Sequence, residues 1–227
     1  MNHLGLLIEA ALRGVFAARG ELAALRELEG VLKNEYAVTD PDVTLTCAAA
    51  ETAKAVSAER TVTLVQALTA MPQGVEAMDT DFPGLVQTSL NMGVVKLDGD
   101  GLHIAFSIRS SIASRKLMLA QRVRAVAALA GGTVAERGVY PGWQYKRESQ
   151  FRDTLLAAYK DLTGKDGVVE ATHGGLECGL LMEKIPGLDA VSMGPELHDV
   201  HSVRERLSVP STERVYELVC EVLRRSR

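Results

Sequence analysis

Residues 171–207, ATHGGLECGLLMEKIPGLDAVSMGPELHDVHSVRERL, decide how the chain is read. They carry His173, His198 and His201, three of the five histidines, and two abrupt breaks, Pro186-Gly187 and Gly194-Pro195. The β-branched and acidic residues just upstream, 168–170, predict the end of a strand. Gly174-Gly175 then allows the backbone to approach something closely. A short helix is expected over 176–184, stopped by Pro186-Gly187. A second apolar run, 188–193, predicts a short strand broken by Gly194-Pro195. A loop follows with Glu196, His198, Asp199 and His201, directly after a buried strand, where α/β folds place their chemistry.

Downstream, Ser211 is expected to cap a final helix whose apolar face is Val215, Leu218, Val219 and Val222. Upstream, Ser149 opens an amphipathic helix (Phe151, Leu155, Ala158, Leu162) that Gly164 stops. Before it, Tyr140-Pro141-Gly142-Trp143 holds the chain's sole tryptophan and reads as a boundary. Residues 21–140 predict a two-layer α+β unit. Helix is expected over 21–34, with a weaker pattern from residue 4 interrupted by Gly14 and Gly20, and a strand over 43–47. Ser57 or Thr61 caps a helix through Ala70, and 75–79 reads as a loop. The clearest feature is a hairpin, 86–97 and 102–110, about an Asp98-Gly99-Asp100-Gly101 turn. Its second strand sorts by parity, with Leu102, Ile104, Phe106 and Ile108 on one face and His103, Ala105, Ser107 and Arg109 on the other. Ser114 is expected to cap a helix over 115–130 carrying Leu117, Val123, Val126 and Leu129. Gly131-Gly132 ends it, and 133–138 reads as a last strand.

Composition narrows the function classes. A 47% hydrophobic and 24% charged chain of 227 residues is that of a soluble globular protein. A net charge of -4 without a basic cluster argues against a nucleic-acid surface, and 4% aromatic content against a stacking platform. No apolar run reaches the ~18 residues of a membrane span, and the start lacks the basic region and cleavage site of a signal peptide. Cys47, Cys178 and Cys220, an odd and scattered set, suit a reducing cytoplasm better than a disulfide scaffold.

HGGLECG at 173–179 and SMGPELHDVHSVRERL at 192–207 resemble the C-terminal signature of the M20 metallopeptidases. Within that family the match is nearer to the cytosolic non-specific, or aminoacyl-histidine, dipeptidases, and it extends over roughly residues 20–227. The resemblance implies an α/β (α+β) chain in two parts. Residues 21–143 would be an α+β lid domain of the dimerising type and 144–227 the C-terminal part of a zinc-peptidase catalytic domain, while 1–20, outside the match, reads from its own pattern as an N-terminal helical segment. The resemblance also implies a truncated form, because the family's HxD, bridging Asp and Glu-Glu motifs precede the lid and none occurs before residue 140.

The family's site residues carry over only in part. His201, followed by Ser202 and Glu205, resembles the last ligand of a two-zinc site, with Asp199 or a backbone carbonyl orienting its ring; without the family it is a polar loop residue. Arg109, in SIRSS, resembles the lid arginine that holds the substrate's C-terminal carboxylate, a role suited to a guanidinium fork; otherwise it is a surface arginine. Asn91, in TSLNMG, resembles a lid residue whose amide faces the substrate, although a bulge would also account for it. Gly175 resembles a glycine that admits the bound dipeptide, against an ordinary helix-start turn. His173 is either packed or a pocket wall. Cys178 reads as buried filler, and Glu177 as a residue suited to the helix dipole. No catalytic residue is expected in this chain. The implied activity is hydrolysis of Xaa-His and other dipeptides at two zinc ions, with the chain alone inactive or nearly so. The implied partners are a dipeptide substrate and either a second copy of the chain or a missing N-terminal catalytic portion; nucleic acid and membrane are not expected. The competing reading is a non-catalytic α+β module for dimerisation or small-ligand binding.

Overall fold

The computed structural model describes residues 21–46, 56–98 and 101–226. The expected helical segment before residue 21, Cys47 and the hairpin tip Gly99-Asp100 lie outside the described residues. The described residues form an α+β fold with six helices and two small antiparallel sheets. Two compact units divide the chain. Of the described residues, the first takes those up to 73 with those of 91–106 and 119–135, and the second those of 74–90, 107–118 and 136–226.

Helix α1, Glu21–Glu35, carries a Glu29–Lys33 pair at 2.6 Å and the buried Leu32. Helix α2, Ala58–Ala70, begins where the Ser57 hydroxyl accepts the Arg60 N–H, so Ser57 and not Thr61 is the cap. Thr61 is buried inside the first turn and donates back to the Ser57 carbonyl at 3.0 Å. Strand β1, Gly74–Met78, replaces the expected loop and pairs antiparallel with β2, Val86–Asp98, through two register irregularities. Local propensity in GVEAM is weak; the free edge of β2 supplies the ladder that the sequence does not advertise. Strand β3, Gly101–Ser110, completes the order β1-β2-β3. Its odd-numbered residues from His103 to Arg109 are exposed while the even ones are half-buried, as parity requires.

Helix α3 spans Ala113–Leu129, so Ser114 lies inside it and is not its cap. Leu119 (0% exposed) and Val123 are its buried residues, whereas Leu129 is 87% exposed and Leu117 is exposed too. The expected apolar stripe therefore holds at Val123 and the half-buried Val126 and fails at its two ends. Gly131, at φ 73°, turns the chain out of the helix.

In the second unit, α4 (Gln150–Thr163) and α6 (Val209–Arg225) pack together, joining Leu155 and Ala158 to Leu218 and Val222, with Phe151, Tyr159 and Val191 around them. Ser149 caps α4, accepting the Arg152 N–H at 3.1 Å, and Gly164 ends it at φ 70°. Ser211 does not cap α6. That position is Ser208, while the buried Ser211 hydroxyl accepts the Glu196 N–H at 2.8 Å and ties the preceding segment to the helix. Short helix α5, Glu177–Lys184, lies between. The expected strands over 133–138, 168–170 and 188–193, and the described part of 43–47, form no ladder. A β-branched run forms a strand only where a ladder partner lies beside it, and Val168 is 83% exposed. Val191 meets its burial need against the α4–α6 cluster instead. The loop carrying the late histidines closes as a minimal hairpin, β4 (Leu197–His198) with β5 (Arg206–Leu207).

Candidate functional site

A cavity of about 380 Å³ lies wholly within the second unit. Its walls include Arg109 from the end of β3, Gln87 from the start of β2, and the 169–176 segment with His173 and Gly175. The register at this end of the sheet follows from two contacts. Ser111 N–H donates to the Gln87 carbonyl at 3.3 Å, and the Thr88 and Ser110 hydroxyls meet at 2.8 Å. Ser89 therefore stands opposite Arg109 on one sheet face, with Gln87 diagonal to Arg109 on the same face.

His173 is fixed against that face. Its Nε2 lies 2.7 Å from the Ser89 hydroxyl, and the ring also bonds the Val86 backbone. Burial, reinforced by the Arg109 charge, holds its pKa below the ordinary histidine value despite the Val86 bond. A neutral imidazole beside a guanidinium leaves the positive charge of this wall to Arg109.

The Tyr140-Pro141-Gly142-Trp143 run forms another wall. A Cβ on Gly142 would sit 2.6 Å from the Ser111 carbonyl oxygen, and one on Gly175 2.9 Å from the Tyr140 ring. Both glycines are thus required by close approach. Lys116 donates its ammonium to the Tyr140 carbonyl, and burial lowers its pKa although Glu183 opposes this. Asp189 closes the floor near α4, accepting from Ser149 Oγ at 2.9 Å and Phe151 N at 3.2 Å. Burial pushes its carboxyl up, but these bonds and the Lys146 charge outweigh burial and hold its pKa low.

One wall group is left over. Gln87 is 9% exposed and its Oε1 has no hydrogen-bond partner among the described residues. An orphaned buried acceptor costs about 1–3 kcal/mol.

The sequence candidates separate accordingly. Arg109, His173 and Gly175 line this one cavity. Asn91 belongs to the first unit and is exposed on β2. His201 sits at the exposed tip of the β4–β5 hairpin, with φ 64° and its N–H on Glu205 Oε2 at 2.9 Å. Asp199, expected either as a solvated loop residue or as one of two possible orienters of His201, spends its carboxylate on Arg206 at 2.9 Å. Zinc is held tightly where three or four donors converge. No group of three His, Cys, Asp or Glu able to hold a metal occurs among the described residues, so these residues do not by themselves fit a zinc site. Gln87, Ser89 and Lys116 were missed by the sequence reading. Applying to β2 the parity used on β3 would have found the first two, since Gln87, Ser89 and Asn91 alternate with Thr88, Leu90 and Met92.

No family model matches the chain. It is 33% identical over 195 residues to the cytosol non-specific dipeptidase of Escherichia coli K12, a match covering 86% of this chain and 40% of that protein. The aminoacylhistidine dipeptidase of Vibrio alginolyticus superposes with a TM-score of 0.78 at 29% identity, over 89% of this chain and 42% of that one.

The chain is similar to the cytosol non-specific dipeptidases.

A Bacillus cereus aminopeptidase, PepT, shares the fold at a TM-score of 0.53 and 18% identity, over 71% of this chain and 43% of that one. The chain thus spans about two fifths of the length of the dipeptidases it matches. No helix among the described residues is long and apolar enough to cross a membrane.

Proposed function

We propose that this chain is the C-terminal portion of an M20-type, metal-dependent dipeptidase, and that its cavity receives the carboxylate end of a dipeptide in the cytoplasm. The observation that carries the reading is the convergence of Arg109, His173 and Gly175 on one cavity. The guanidinium offers paired donors that match a carboxylate. The His173 ring, kept neutral and held by Ser89 and the Val86 backbone, would wall the peptide site without adding charge. Gly175 lets the Tyr140 ring lie too close for any Cβ, which keeps both residues in the cavity wall. Hydrolysis itself would need two zinc ions; His201 is the single donor proposed from this chain, and the chain alone is expected to show little or no turnover.

The test is calorimetric titration of the chain with glycyl-glycine and with its C-terminal amide. The free acid should bind, and both amidation and Arg109→Met should weaken binding tenfold or more, the worth of a charge-assisted pair. Equal binding of acid and amide would remove the carboxylate clamp from the account.

A further inference from the structure

We infer that Gln87 is a ligand-binding residue of this cavity, its amide oxygen accepting an N–H from a peptide whose carboxylate lies on Arg109. The proposal rests on the reading of the cavity as a dipeptide site. Gln87 is buried to nine-tenths, lines the cavity, and leaves Oε1 without a partner among the described residues. Buried polar atoms are rarely left so, and an exception in a cavity wall calls for a donor in the cavity. The sheet register says which kind of donor. Gln87 and Arg109 are diagonal cross-strand neighbours on one face, a spacing of about 7–8 Å between backbones that long side chains bridge. A ligand recognised by both must present an anion and an N–H donor close together, as the last residue of a peptide does through its carboxylate and its amide. Three neighbouring acceptors already have donors: Ser89 Oγ is engaged by His173, Asp189 by Ser149 and Phe151, and the Tyr140 carbonyl by Lys116.

Glycyl-glycine and glycyl-sarcosine share a carboxylate, but the second lacks the peptide N–H. Titrated into the full 227-residue chain and followed by the emission of Trp143, the sole tryptophan and a wall residue, they separate the contributions. The wild-type chain should prefer glycyl-glycine about tenfold, one hydrogen bond's worth. Gln87→Met should bind both at the weaker level, Gln87→Glu, which keeps an acceptor, should retain the preference, and Arg109→Met should weaken both peptides while leaving their ratio. Equal wild-type affinity for the two peptides, or a preference that survives in Gln87→Met, would overturn the assignment and leave the carboxylate clamp standing. Failure of the wild type to bind either peptide would overturn both.

Discussion

At the residue scale, the two close glycines should behave differently when given a methyl group. At Gly142 the obstacle is the Ser111 backbone carbonyl, with the Ser110 carbonyl at 3.1 Å behind it; at Gly175 it is one edge of a Tyr140 ring that can turn. Gly142→Ala should therefore destabilise the fold by about 2–3 kcal/mol and Gly175→Ala by about 1, read by urea denaturation, while Gly175→Ala loses more ligand affinity because the displaced ring enters the cavity. Comparable losses would mean that the backbone around Ser111 yields as readily as a side chain. His173 supplies a second prediction. Its folded pKa lies below its unfolded value of about 6.5, so the stability it contributes is present above that pH and is lost as pH falls through the folded value. The ring titration, followed by NMR, should have a midpoint below the ordinary histidine value and move upward in Arg109→Met, which removes one of the two causes. A midpoint indifferent to Arg109 would leave burial as the whole effect.

At the scale of elements, the start of α4 depends on Ser149 and Asp189 together. The serine hydroxyl accepts the Arg152 N–H and donates to the carboxylate, which in turn accepts the Phe151 N–H. Ser149→Ala should cost about 1–2 kcal/mol, the upper part of the capping range, because it also strips a donor from Asp189. The low pKa of Asp189 means its contribution is present above the unfolded carboxylate value of about 3.9 and disappears as pH falls through the folded one. Asp189→Asn should flatten the acid limb of the stability curve; an unchanged limb would show that other carboxylates govern it. This cap was legible in the sequence because Ser149, the apolar spacing of α4 and Gly164 agree with one another. The ends of the buried face of helix α3 were misassigned because LMLAQRVRAVAAL offers apolar residues on every face, so only tertiary burial selects Leu119 over Leu117. The false strands have the same origin, since a short β-branched run does not reveal whether a ladder partner exists. Hairpin β2–β3 succeeded because alternation and turn residues pointed the same way, while β1 was hidden by its weak GVEAM pattern.

At the scale of the whole chain, the late HGGLECG stretch was the most informative part of the sequence, and it pointed to relatives that sequence and fold comparison then supplied. The cavity was only half legible. Arg109, His173 and Gly175 stood out one by one, but nothing in linear order joins residues 87, 109 and 173 until the sheet register does. His201 was read as a metal donor from its motif, whereas its surroundings among the described residues hold no group of three donors able to bind a metal. Zinc titration of the chain should accordingly show no tight stoichiometric site, and His201→Ala should leave what weak binding there is nearly unchanged; a tight site abolished by that substitution would require donors to gather around the β4–β5 hairpin. The most direct test of the central claim is a crystal structure of the chain grown with glycyl-glycine. The account predicts the peptide carboxylate on the Arg109 guanidinium at about 2.7–2.9 Å, within the cavity walled by His173 and Gly175. A peptide bound elsewhere, with Arg109 turned to solvent, would contradict it.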